Sequence, residues 1–107
     1  MLIPIRRDHD LSDGELHSTD AWSWIDDPLF VQFEGGTMAP GLYTGFYRDP
    51  DTGSRVDDSS RKFIVALPRR RLRELRALLE SACGVFQQKC IYLSIGGNVE
   101  FIAPTAR

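Results

Sequence analysis

The stretch Ala66–Lys89, ALPRRRLRELRALLESACGVFQQK, decides the fold. Leu72, Leu75, Leu78, Leu79, Ala82, Cys83 and Phe86 recur at three- and four-residue spacing, the apolar stripe of an amphipathic helix. Pro68 fits the first turn, where its missing N–H costs nothing, and Gly84 is expected to end the helix in the left-handed conformation. The spacing predicts one main helix over about 68–84, packed on one face of a sheet. Its opening is unusual, because Arg69, Arg70, Arg71 and Arg73 crowd an end where exposed N–H groups favour acids. On a helical wheel Arg69, Arg73 and Arg76 form one row beside the apolar stripe, Glu80 continues that row, and Arg70 and Glu74 lie on the far face.

Outward from the helix the pattern changes to strands. RKFIVALP, residues 61–68, has a continuous apolar run of the kind found at a sheet centre. LYTGFYRDPDTGSRV, residues 42–56, alternates as a β-hairpin around DPDTG, with Pro50 setting φ and Gly53 taking a positive one. A hairpin turn is favoured there over a calcium loop, since Gly53 arrives one residue early and the twelfth position is Ser60. After the helix, KCIYLSIGGNVEFI reads as two short strands around a tight Gly-Gly-Asn turn. The order β-β-α-β-β, with a further strand or two ahead of it, implies an α+β fold: a mostly antiparallel sheet of four to six short strands.

The N-terminal part is less regular. A short strand is expected at Leu2–Ile5, and residues 8–20, DHDLSDGELHSTD, are polar and without period. We therefore divide the chain into an acidic N-terminal segment, 1–20, and a single α+β domain, 21–107. Pro28 argues against a continuous helix in AWSWIDDPLFVQFE, which predicts an irregular segment over 20–27 and a strand over 29–34. His9 and His17 lie among five carboxylates, but no element fixes them as ligands, and no metal site is expected. Cys83 and Cys90 form no C-x-x-C pair and read as small core residues.

Charge is segregated along the chain. The 13 Lys and Arg and 15 Asp and Glu give a net charge of −2, yet the acids dominate before Ser60 and the bases between Arg61 and Arg76. The first sixty residues speak against a nucleic-acid-binding domain. No apolar run is long enough for a membrane span or a signal-peptide core, so a soluble, cytoplasmic protein is expected.

Phe86, Gln88 and the strand starting near Cys90 form a Phe-x-Gln corner between helix and strand. From Gly41 to Ile102 the order and spacing of elements resemble small uncharacterised bacterial α+β proteins built around such a corner. The resemblance implies a ferredoxin-like architecture and no particular chemistry. The chain departs from that pattern in lacking a clear first helix before Gly41.

No nucleophile has a histidine partner in a regular element, so no catalytic residue is assigned. The leading reading is a non-enzymatic protein-interaction module, pairing with itself or with another protein through an edge strand and its aromatics, and needing no cofactor. The alternative is binding of an anion or nucleic acid through Arg69, Arg73 and Arg76, which requires that the acidic hairpin leave the row uncovered. A third reading is a small-ligand enzyme using Tyr47, Gln88 and Glu100 in a sheet pocket.

Overall fold

A computed structural model describes residues 1–104; the last three positions of the 21–107 domain lie outside the described residues. Among the described residues the order is β1 (Leu2–Pro4), α1 (Thr19–Phe33), β2 (Thr37–Met38), β3 (Tyr43–Arg48), β4 (Arg55–Ile64), a 3-10 turn (Arg69–Arg71), α2 (Leu72–Val85), β5 (Ile91–Ile95) and β6 (Asn98–Ile102). The strands form one antiparallel sheet in the order β2-β4-β1-β5-β6, with β3 paired along the N-terminal part of β4. The predicted α+β class, antiparallel sheet and main helix are all present. Strand β1 lies inside the sheet: Leu2 is opposite Lys62 on one side and Tyr92 on the other. The central strand thus falls ahead of residue 20, within the segment set apart in the sequence.

Both helices bury their apolar stripes in a single cluster with one face of the sheet. Ile25 and Leu29 of α1, Leu79 and Cys83 of α2, and Ile3 and Ile91 of the sheet all belong to it. Side chains alternate along a strand, so residues next in line from Ile3, Phe63, Ile91 and Leu93 point away from both helices.

Helix α1 replaces the irregular segment and strand expected over 20–34. The Ser18 hydroxyl accepts the Ala21 N–H (3.3 Å), and Asp20 lies in the first turn. Ile25, Leu29 and Phe33, four residues apart, are all buried. That burial outweighs Pro28, which sits inside the helix and leaves one turn without its N–H bond. Glu34, at φ 65°, turns the chain out of the helix, and the Gly35 N–H still reaches the Leu29 carbonyl (3.0 Å).

The arginine-rich opening resolves locally. Arg69–Arg71 form a 3-10 turn ahead of α2, so three of the bases precede the helix instead of occupying its first turn. The acid of that turn is Glu74, which pairs with Arg71 at 2.8 Å. Arg71 also lies over the Phe33 ring, 4.9 Å from its centroid, tying the turn to α1. At the other end Gly84 is still helical; Val85 ends α2 and the positive φ, 50°, belongs to Gln87. The Gln87 side chain donates to the Gly84 carbonyl at 2.9 Å. The tight turn after β5 is as expected: Gly96 and Gly97 both have positive φ (53° and 87°), which a two-residue turn between Ile95 and Asn98 requires.

His17 is built into the core edge. Its ring meets Phe86 and Trp22 edge-on (centroids 4.9 and 5.5 Å), and Nε2 donates to the Pro4 carbonyl at 2.8 Å. Burial lowers its pKa from the ordinary 6.5; the Pro4 bond opposes that shift, and Arg7 and Arg61 add to it. Above pH 6.5 the ring is neutral folded or unfolded, and its contribution is complete. As pH falls below 6.5 the unfolded chain takes a proton that the folded one resists, so stability is lost. The melting temperature is expected to drop between pH 7 and 5, and His17→Gln should flatten the profile over that window.

Candidate functional site

The helix-free face of the sheet carries a row of exposed apolar side chains beside one cation. Register across four strands puts Lys62, Leu2, Tyr92 and Phe101 side by side in one row. One step along the strands, Ile64 and Val99 occupy the same face at the two outer positions. Phe101 is 64% exposed, Ile64 53% and Val99 47%, which is high for large apolar side chains on a sheet. Tyr92 meets Phe101 edge-on at 5.9 Å, and Lys62 Nζ lies 5.2 Å from the Tyr43 ring centre. No Lys62 ion pair is present among the described residues. Alternation in Asn98–Ile102 is the sequence signal that separates Val99 and Phe101 from Glu100; only the pairing shows which residues stand beside them.

A cleft of about 450 Å³ lies between the loop after β1 and the β3–β4 hairpin, lined among others by Tyr47, Gln88, Asp8, His9 and Asp58. Two of the three pocket candidates therefore meet. Gln88, though, has its amide nitrogen on the Arg6 and Phe86 carbonyls (2.7 and 2.9 Å), where it pins the helix-to-strand corner to the first loop. Burial pushes the Tyr47 phenol up to about 12, with Asp58 adding to the effect. Burial likewise raises Asp58, and its neighbour Asp57 contributes. The thiol of Cys90 is raised by burial and then by Asp58, Asp8 and Asp49, so it is held protonated rather than activated. Glu100, the third candidate, is elsewhere: it faces α2 from β6.

There Glu100 accepts both guanidinium hydrogen bonds of Arg76, at 2.9 and 2.8 Å. The Arg76 bond holds the Glu100 carboxyl below its usual range. The row read from the wheel is thus divided. Arg76 is committed, while Arg69 and Arg73 are exposed and make no ion pair among the described residues.

The acidic hairpin does not fold over the row. Lys89 gathers the acids instead: its Nζ contacts Asp10 at 2.9 Å, Asp49 at 2.9 Å and Asp51 at 3.1 Å. Asp49 is 3% exposed and also accepts the Asp51 and Thr52 N–H groups. The Lys89 bond, reinforced by that of Asp51, lowers the Asp49 carboxyl, and the Asp10 and Asp49 bonds raise Lys89. The only base in residues 77–104, Lys89 was a legible partner for the acid block. Asp8, His9 and Asp10 bring ligating atoms within 4.8 Å of one another; Asp10 already serves Lys89, and Asp8 accepts the Asp10 N–H at 2.8 Å.

A groove of about 810 Å³ opens between the far ends of β4 and β5, past the point where Met1 pairs with Phe63. Lys62 and Arg69 line it together with Tyr43 and Tyr92. Among the described residues no helix is long and apolar enough to cross a membrane. No protein-family model, curated protein or solved structure matches the chain.

Proposed function

We propose that this chain is a non-enzymatic interaction module of the bacterial cytoplasm that pairs with a second copy through its helix-free sheet face. The observation that carries the reading is the cross-sheet row Lys62–Leu2–Tyr92–Phe101. A two-fold axis along the strands, between β1 and β5, reverses that row onto itself. Lys62 then faces the partner's Phe101, Leu2 faces the partner's Tyr92, and Ile64 faces the partner's Val99. Each apolar group meets an apolar group and the unpaired cation meets a ring, an isologous contact with no like charges opposed. The β-α-β-β-α-β order through β1, α1, β3, β4, α2 and β5 supports the ferredoxin-like resemblance for architecture.

Anion or nucleic-acid binding by the arginine row is the weaker reading, because Arg76 is engaged with Glu100. The enzyme reading is weaker still, since Gln88 is spent on two backbone carbonyls and Glu100 is remote from Tyr47. Sedimentation equilibrium from low micromolar to millimolar chain concentration tests the proposal. A dimer is expected, and Phe101→Ser should weaken it roughly 30-fold or more, because two aromatic contacts are lost per dimer. A strict monomer across the range, or a dimer indifferent to Phe101→Ser, overturns it.

A further inference from the structure

We infer that the groove between the ends of β4 and β5 is a binding site for an amphipathic carboxylate, a medium-length alkyl or aryl chain ending in one anionic head. The site needs only a single chain and does not rest on self-association.

The argument begins with shape and lining. At about 810 Å³ the groove is in the range of pockets that enclose small organic ligands. Its inner wall is apolar: Leu67, Leu72 and Leu75 come from the approach to α2 and the helix itself, and Leu93 and Ile95 from β5. Such a wall removes an alkyl chain or ring from water.

Charge is the second observation. The chain has more acids than bases, and the 450 Å³ cleft is of mixed charge, lined by Asp8, Asp57 and Asp58 together with Arg6 and Arg7. The larger groove has no Asp or Glu in its lining, whereas Lys62 and Arg69 both belong to it. Neither cation makes an ion pair among the described residues, in contrast to Arg7, Arg71, Arg76 and Lys89. Two unpaired bases beside an apolar wall favour one kind of occupant: an apolar body with an anionic end. A neutral alcohol would leave the cations unmatched, and a short anion would leave the wall wet. Tyr43 and Tyr92, on the same lining, each carry a hydroxyl donor of the kind suited to a carboxylate.

The test is calorimetric titration with decanoate, decanol and acetate, below the critical micelle concentration of decanoate. Saturable binding of decanoate is expected, at least tenfold tighter than decanol, with none for acetate. Replacing both cations, Lys62→Gln with Arg69→Gln, should weaken decanoate at least tenfold and change decanol less than twofold. Both side chains are at the surface, and circular dichroism checks that the variant folds. Leu2, Lys62, Ile64 and Tyr92 of the lining also lie on the proposed dimer face, so Arg69→Gln, outside that face, is the arm that separates the two sites; it should weaken decanoate at least threefold and leave self-association unchanged. Phe101→Ser, outside the groove, should bind decanoate at least as tightly as the parent, because it frees the lining residues that the proposed dimer would cover. Equal affinity for decanoate and decanol overturns the inference, as does the absence of saturable decanoate binding or a double variant that binds decanoate undiminished.

Discussion

Phe86→Ala is expected to lower the free energy of unfolding by about 3–5 kcal/mol. Phe86 is fully buried and sits where α2 gives way to the corner before β5. Its ring packs against His17 and, at 5.0 Å, against Trp22, so it joins the loop after β1, helix α1 and the end of α2. Truncation removes apolar area and leaves a cavity that three separate elements would have to close. A domain of this size has roughly 5–15 kcal/mol of stability in all, so the variant should be poorly folded at 37 °C or melt far below the parent. Urea unfolding followed by tryptophan fluorescence reads the effect directly, since Trp22 is one of the two reporters. A loss under about 1.5 kcal/mol would mean that the corner repacks freely and is not a structural keystone.

Pro28→Ala is expected to act in the opposite direction, raising stability by about 1–3 kcal/mol. Proline inside a helix lacks the N–H for the carbonyl one turn earlier, here Trp24, and its ring crowds that oxygen; the cost relative to alanine is about 3 kcal/mol. Pro28 is half-buried, so some packing is forfeited and the gain falls short of the full figure. Each kcal/mol should raise the melting temperature of a chain this short by about 4–8 °C. A fall in melting temperature on Pro28→Ala would show that the ring's contacts matter more than the missing hydrogen bond.

Helix α1 also shows where reading the sequence stops. Its breaker, Pro28, is local and conspicuous; its support is the spacing of Ala21, Ile25, Leu29 and Phe33, behind a Ser18 cap. That four-residue period was in the sequence, but its weight against proline depends on a core that the sequence does not display. Helix α2 was legible because its stripe has no such interruption, and the turns at Gly53 and Gly96–Gly97 were legible because positive φ selects glycine. The candidate site was legible only in pieces. Tyr92 and Phe101 stand out as strand aromatics, yet their place in a row with Lys62 and Leu2 follows from pairings between distant residues. Pairing Arg76 with Glu100, 24 residues on, required the same long-range knowledge.

Strand β1, three residues long, has a kinetic meaning of its own. The β3–β4 and β5–β6 hairpins each close locally, on the microsecond scale typical of hairpins. They become one sheet only when Leu2 finds Lys62 and Tyr92, sixty and ninety residues further along the chain. Until that closure is made, two half-sheets expose bare inner edges and no common core. The folding barrier is then chiefly the entropy of bringing distant segments together, the cost that slows mixed α/β domains relative to helical bundles. All-or-none unfolding is the expected consequence, because loosening one short strand separates both halves of the molecule at once.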